Sequence, residues 1–440
     1  MTRSGSGDTI AAVATAPGRG GVGIVRISGP ASADIAQQVV GKKLTPRQAE
    51  FVDFRNAGDE TLDRGLALYF EGPHSFTGED ILELQGHGGP GVLDLVLSRV
   101  LELGARRANP GEFSERAFVN GRIDLVQAEA ILDLVNSATR QAALGAVRSL
   151  SGAFSEQVHA LDRQVLALRV YCEAAIDFAD EEIDFLAESD IGDRLEAIRD
   201  GLAALRSDAA QGALLNDGAS VVFVGAPNVG KSSIFNRLSG DERAIVTAIP
   251  GTTRDTLTAD FDLDGLPVRV IDTAGLRDTE DPVEAEGVDR TRRAMAQADI
   301  VVEVVEDLCA DDAAPERTDS TLLVRNKTDL SGCEPGRVDA GIVRVCALTG
   351  DGFEDLVAEL KRLAGFRSGE GAFTARQRHL DALDAAGKAL DAAVSRLDEG
   401  EGELLAEELR TAHEHLGTIV GETSTDDLLG EIFASFCIGK

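Results

Sequence analysis

Cysteine is sparse and scattered in this 440-residue sequence. The five residues Cys172, Cys309, Cys333, Cys346 and Cys437 are odd in number and contain no CxxC pair. That pattern argues against a disulfide framework and a zinc site, and a reducing cytoplasm is the simplest setting for it. Lysine is also rare: it supplies 7 of the 43 basic residues, which face 76 acids for a formal charge of −33. Such a chain repels polyanions at long range, so any nucleic-acid binding must use local basic patches, and an acidic membrane surface is disfavoured. No eighteen apolar residues run together, and the polar start MTRSGSGDTI has no apolar core behind it. Neither a membrane span nor a signal peptide is expected.

Proline is missing from two long stretches, 111–226 and 336–440, while its twelve copies collect in 17–110 and 227–335. Proline breaks helix interiors, so the empty stretches read as helical. Apolar spacing agrees in LVQAEAILDLVNSATRQAALGAV, LDRQVLALRVYCEAAIDF and LDALDAAGKALDAAVSRL. At 440 residues the chain exceeds one compact core. The expected organisation is a multidomain α/β plus α protein. Residues 1–120 form an N-terminal α+β domain, 121–216 and 368–440 a helical domain, and 217–367 an insertion that splits it. Two separate helical domains are the alternative. The β-branched runs VVFV, VRVI, IVVEVV and TLLVRN inside 217–367 have the composition of buried parallel strands, and their alternation with helices predicts a doubly wound, Ras-like sheet.

The run GAPNVGKSS, from Gly225 to Ser233, fits GxxxxGK[ST] between a predicted strand and helix. The backbone around Asn228, Val229, Gly230, Lys231, Ser232 and Ser233 can close on phosphates; Lys231 reaches the β- and γ-phosphates, and Ser232 ligates Mg²⁺. Thr253 in TTRD offers a second Mg²⁺ ligand, and Asp272, Thr273, Ala274 and Gly275 form a DTAG switch. NKTD supplies Asn326, Lys327 and Asp329; two hydrogen bonds from the guanine edge to the Asp329 carboxylate select GTP over ATP. Cys346, Ala347 and Leu348 stand where such domains usually read SAx, with the Ala347 N–H as the expected base contact. Leu276 follows DTAG, where small GTPases place a water-orienting glutamine. Leucine cannot orient water. Arg254 and Arg277 are surface arginines, not expected to act as a finger.

Across nearly its whole length the chain resembles the MnmE (TrmE) family of tRNA-modification GTPases. The resemblance is carried by GRGGVGIVRISG, SFTGEDILELQGHGG, RANPGEFSERAFVNGRIDLVQAEAI, AAIDFADEEIDF, the G motifs, GELLAEELR and the terminal FCIGK. It implies an answer to Leu276. K⁺ is held by Asn228, the carbonyls of Thr247 and Ile249, and Thr252, within a loop Thr247, Ala248, Ile249, Pro250, Gly251, Thr252. Glu284 then orients the attacking water. In other GTPases an arginine at that place contributes roughly 10³ to 10⁵ in rate.

The resemblance further implies that the N-terminal domain dimerises and binds 5-formyl-tetrahydrofolate or a related one-carbon folate through Arg26, Glu83, Arg122 and Lys440. Arg122 stands where lysine is often found. Cys437 is implied in the modification chemistry, its role open between nucleophile, acid and support. Implied partners are a second copy of the chain, the FAD-dependent protein MnmG in a heterotetramer or larger complex, and tRNA, whose wobble uridine would gain an aminomethyl or carboxymethylaminomethyl group at C5. The rival reading is a regulatory GTPase that binds RNA or ribosomal partners and modifies nothing.

Overall fold

The computed structural model describes residues 7–177, 190–245, 259–271, 294–307, 320–367, 372–423 and 426–439. Two compact units divide the chain: residues 1–132 with 420–440, and residues 133–419. Residues 121–132 and 420–440, expected in the helical domain, thus group with the first unit.

The first unit is built on a six-stranded sheet of order β3-β4-β5-β2-β1-β6. Its strands are β1 (Ile10–Val13), β2 (Gly20–Ser28), β3 (Glu50–Arg55), β4 (Thr61–Phe70), β5 (Ile81–Gly88) and β6 (Arg106–Arg107). All neighbours are antiparallel except β1 and β6. Successive strand residues point to opposite faces. One face carries Ala11, Val25, Ile27, Leu82 and Leu84 and packs under Ile35 and Val39 of helix Ser32–Val40 and Val96, Leu97 and Val100 of helix Pro90–Glu102. The same alternation sends Arg26 and Glu83 to the other face, where Ile10, Ala12, Ala108, Phe113 and Phe76 cluster. Helix Asp426–Ala434 closes the unit: Ile432, Phe433 and Phe436 bury against Leu125, Ala128 and Leu132.

In the second unit an eight-stranded sheet has the order β13-β14-β12-β11-β7-β10-β9-β8. Its strands are β7 (Ala219–Val224), β8 (Ala244–Ile245), β9 (Ala259–Leu263), β10 (Leu266–Val270), β11 (Ile300–Glu306), β12 (Thr321–Asn326), β13 (Gly336–Asp339) and β14 (Ile342–Arg344). The expected β-branched runs form its centre, β10, β7, β11, β12 and β14 running parallel and the outer pairs antiparallel. Strand β7 lies between β10 and β11, so the chain leaves it at the point where the order reverses. Doubly wound sheets bind ligands there.

Helices Lys231–Arg243, Thr328–Ser331 and Phe353–Leu363 accompany the sheet, and Arg140–Leu150, Ala153–Asp177, Ile191–Asp217, Gln377–Asp398 and Gly402–Val420 form the helical part. The run 125–147, read as helical from its apolar spacing, forms two helices: the first stops at Asn136 and the second starts at Arg140. Thr139 causes the restart, its hydroxyl accepting from Ala142 N at 3.1 Å as an N-cap. The return segment is tied to the first helices: Ser149 Oγ donates to Thr374 O and accepts from Thr374 N, both at 2.9 Å, and Phe373 stacks on Phe154 at 4.6 Å. Cys172, Cys346 and Cys437 are free. Cys333 is disulfide-bonded, a departure from the all-reduced reading.

Candidate functional site

The loop after β7 is shaped by two demands, space and polarity. Gly230 sits at φ +98°, and a Cβ there would fall 2.1 Å from Asn326 Nδ2, so no side chain fits. Asn326, the first residue of NKTD, is 2% exposed. Its amide is used at both ends: Nδ2 donates to Val229 O at 2.9 Å and Oδ1 accepts from Ala347 N at 3.0 Å. One buried amide therefore locks the phosphate loop to the CAL loop. Lys231 Nζ donates to Gly225 O at 2.9 Å and Ala226 O at 2.8 Å. These bonds hold the ammonium against the carbonyls of its own loop. Asn228 is exposed at φ +63°, outside the core. Ser232 and Ser233 open the helix Lys231–Arg243, whose N-terminal dipole favours anions.

Lys327 pairs with Glu306 and takes a left-handed conformation (φ +70°), which turns the chain from β12 into the short helix holding Asp329. Cys346 answers for the serine it replaces: Sγ donates to Asp329 Oδ1 at 3.3 Å and accepts the Thr349 N–H at 3.5 Å. The Ala347 N–H, reserved by the sequence reading for the base, is donated to Asn326. Leu348 is largely exposed. Thr247, Ala248, Ile249, Pro250, Gly251, Thr252, Thr253, Asp272, Thr273, Ala274, Gly275 and Glu284 lie outside the described residues.

In the first unit, the register of β2 and β5 places Arg26 directly across from Glu83, with Nε to Oε1 at 2.9 Å. Glu83 Oε2 accepts from Gln85 Nε2 at 3.2 Å. The Arg26 guanidinium lies 6.0 Å from the centroid of Phe76 and 5.8 Å from that of Phe113, between cation and apolar wall. Arg26 also donates to Gly439 O at 3.4 Å, and Gly111 N donates to Cys437 O at 3.4 Å. The end of the chain is thereby held against the charged pair, Cys437 being exposed two residues from the Arg26 contact. Arg122 is exposed, its stem packed 3.3 Å from the Cβ position of Gly78. Lys440 lies outside the described residues.

Beside this face lies an ionic cluster that sequence reasoning missed. Arg116 NH2 donates to Asp8 Oδ1 at 2.7 Å and Glu112 Oε1 at 3.1 Å, and NH1 donates to Glu79 at 3.1 Å. Arg106 donates to Asp8 Oδ2 at 2.5 Å and Glu112 Oε2 at 2.8 Å. Burial pushes the Glu112 carboxyl up, but the bonds from Arg106, Asn109 N and Arg116 outweigh it and hold the group below the usual range. Glu115 goes the other way, raised by burial and by the Glu112 charge. The four charges of RANPGEFSER, Arg107, Glu112, Glu115 and Arg116, were the available signal, though pairing could not be assigned without the fold.

A phosphate loop at the switch point, an asparagine joining it to a second loop, and an aspartate behind that loop define a P-loop nucleotide-binding protein with a guanine-reading motif. The description GTP-binding protein TrmE N-terminus matches residues 9–122, and MnmE helical domain matches 125–437. The tRNA modification GTPase MnmE of Pseudomonas paraeruginosa is 54% identical over 451 residues, covering 98% of this chain and 99% of that one. The one from Nitrosococcus oceani is 54% identical over 446 residues, with 98% and 97% covered. The chain belongs to the MnmE family of tRNA-modification GTPases. Among solved structures, the G domain of the T. maritima FeoB iron transporter aligns at 23% identity with a TM-score of 0.24, over 33% of this chain and 98% of that one.

Proposed function

We propose that the chain is a K⁺-activated GTP hydrolase. With the FAD-dependent partner MnmG, it adds an aminomethyl or carboxymethylaminomethyl group to C5 of the wobble uridine of certain tRNAs. The proposed assembly is a homodimer joined by MnmG in a heterotetramer or larger complex in the cytoplasm. Domains 1–120, 121–216 with 368–440, and 217–367 would carry folate binding, helical scaffolding and GTP hydrolysis. The observation that carries the reading is Asn326, whose one buried amide joins phosphate loop and base loop.

Lys231 holds the phosphate oxygens, and Asp329 takes the two N–H groups of guanine. Ser232 and Thr253 are the residues that would hold Mg²⁺, which supplies charge neutralisation. Asn228, Thr247, Ile249 and Thr252 would hold K⁺, and Glu284 orients the water that Leu276 cannot. The exposed, left-handed Asn228 suits that assignment, because its amide is outside the core.

Arg26 and Glu83 suit a folate. A carboxylate pairs with the amidine-like edge of a pterin, a guanidinium suits carboxylates, and Phe76 and Phe113 flank the pair. Arg122 and Lys440 add charge. Cys437 would act near the one-carbon unit. The test is a reconstituted reaction with tRNA, MnmG, 5-formyl-tetrahydrofolate and GTP, reading the modified nucleoside. Product that requires both the folate and GTP supports the reading. GTP hydrolysis without folate binding or product supports the regulatory GTPase instead.

A further inference from the structure

Arg237 lies outside the G motifs, yet its guanidinium bonds three successive carbonyls and lies near an aromatic ring. It lies on the helix that begins with Lys231 and Ser232, which Ile234 and Leu238 anchor in the core of the sheet. Its guanidinium reaches the loop that follows Cys346. NH1 donates to Ala347 O at 3.1 Å and to Leu348 O at 3.0 Å, and NH2 donates to Thr349 O at 2.6 Å. The guanidinium also lies over Phe353, 5.6 Å from the ring centroid, and Phe353 packs against the same core. The loop is shaped around it: at Gly350 a Cβ would stand 2.3 Å from Arg237 NH2.

We propose that Arg237 is a positioning residue for guanine recognition, coupling the phosphate-binding helix to the base-reading loop. This rests on the reading of the site as a guanine-nucleotide site. The loop is gripped on both sides of one residue. Ala347 N is held by Asn326, which also holds the phosphate loop, and Ala347 O is held by Arg237. With Arg237 in place, the Ala347–Thr349 backbone and the Cys346 thiol that contacts Asp329 keep one arrangement relative to Lys231. Without it three carbonyls lose a charged donor, and the Asp329 carboxylate loses the fixed frame that lets it distinguish a base with two N–H donors from a base with one. A lysine keeps the charge but cannot serve three carbonyls with a planar fork.

The experiment compares the full chain with Arg237→Ala and Arg237→Lys, measuring release of a fluorescent GDP and affinity for GDP and for IDP, which lacks the exocyclic amine. Arg237→Ala should speed GDP release and narrow the GDP-over-IDP preference, each by about tenfold, the range set by loss of charge-assisted hydrogen bonds. Arg237→Lys should fall between, and the loss in steady-state hydrolysis should sit in KM more than in kcat. An unchanged GDP-over-IDP preference in both variants, or a fall in kcat with the base preference intact, overturns the proposal. If Arg237→Ala does not fold, Arg237→Lys decides it alone. Failure of the unsubstituted chain to prefer GDP over IDP contradicts the guanine-site reading itself, a result separable from either variant.

Discussion

Cys346 Sγ donates to Asp329 Oδ1 across 3.3 Å, so a thiol holds this carboxylate at a position where such loops usually read serine. The thiol is a weaker donor on a longer bond, and both groups are held by the same turn, since Thr349 N donates back to the sulfur. Cys346→Ala should weaken GDP binding by roughly threefold to tenfold, the worth of one buried hydrogen bond of about 1 kcal/mol. Cys346→Ser should match or exceed the unsubstituted chain. Calorimetric titration with GDP checks both, and identical affinities in all three proteins would mean that the sulfur only fills space.

Glu112 and Glu115 stand three residues apart on one helix and should respond oppositely to neutralisation. Glu112 is fully buried between Arg106 and Arg116. Removing its charge leaves two guanidiniums short of a partner, so Glu112→Gln should destabilise the first unit by about 3 to 5 kcal/mol. Glu115, raised by burial and by the Glu112 charge, is strained when ionised at neutral pH, so Glu115→Gln should stabilise. Hydrogen exchange at β1 and β2 amides in the full chain reports the sign of each change.

The same pair predicts a pH window. Asp8 and Glu112 have folded pKa values below their ordinary values of 3.8 and 4.5, so their contribution is complete above those values and is lost as pH falls through the lower folded ones. Glu115 contributes in the opposite sense, below 4.5, and its contribution fades as pH rises through its higher folded value. Exchange protection of β1 should therefore drop steeply below about pH 4, and Glu112→Gln should flatten that drop. An unaltered acid profile in the variant would locate the acid-sensitive group elsewhere.

Arg26 and Glu83 were legible as residues, but not as a pair. Only the register of β2 against β5 sets them opposite, and only strand alternation puts them on the face with Phe76 and Phe113. The parallel strands were easier to read, because strands buried on both faces are written as unbroken β-branched runs. The helix boundary at Thr139 was harder: helical apolar spacing flanks it on both sides, and only the Thr139 hydroxyl, capping the second helix, marks the break. Arg237 could not be read at all. In the sequence it is one arginine on a helix, and its three acceptors lie more than a hundred residues downstream.

For the N-terminal face, Arg26→Ala and Glu83→Gln should each weaken 5-formyl-tetrahydrofolate binding by about tenfold or more, since each leaves a charged partner unpaired. GTP hydrolysis by the full chain should be retained in both, because these residues belong to the first unit and the nucleotide loops to the second. Cys437→Ser should leave folate binding in place and remove modification. Loss of GTP hydrolysis together with folate binding would instead indicate that the substitutions unfold the chain.

The proposed function turns on a monovalent cation held near Asn228, supplying the charge stabilisation that an arginine finger supplies in other GTPases. The most direct measurement is the GTP hydrolysis rate of the full chain at equal ionic strength in KCl and in NaCl, with and without Asn228→Ala. The account predicts a rate in K⁺ higher by about tenfold or more, with most of that advantage gone in Asn228→Ala. Equal rates in the two salts, or a K⁺ effect untouched by the substitution, would contradict it.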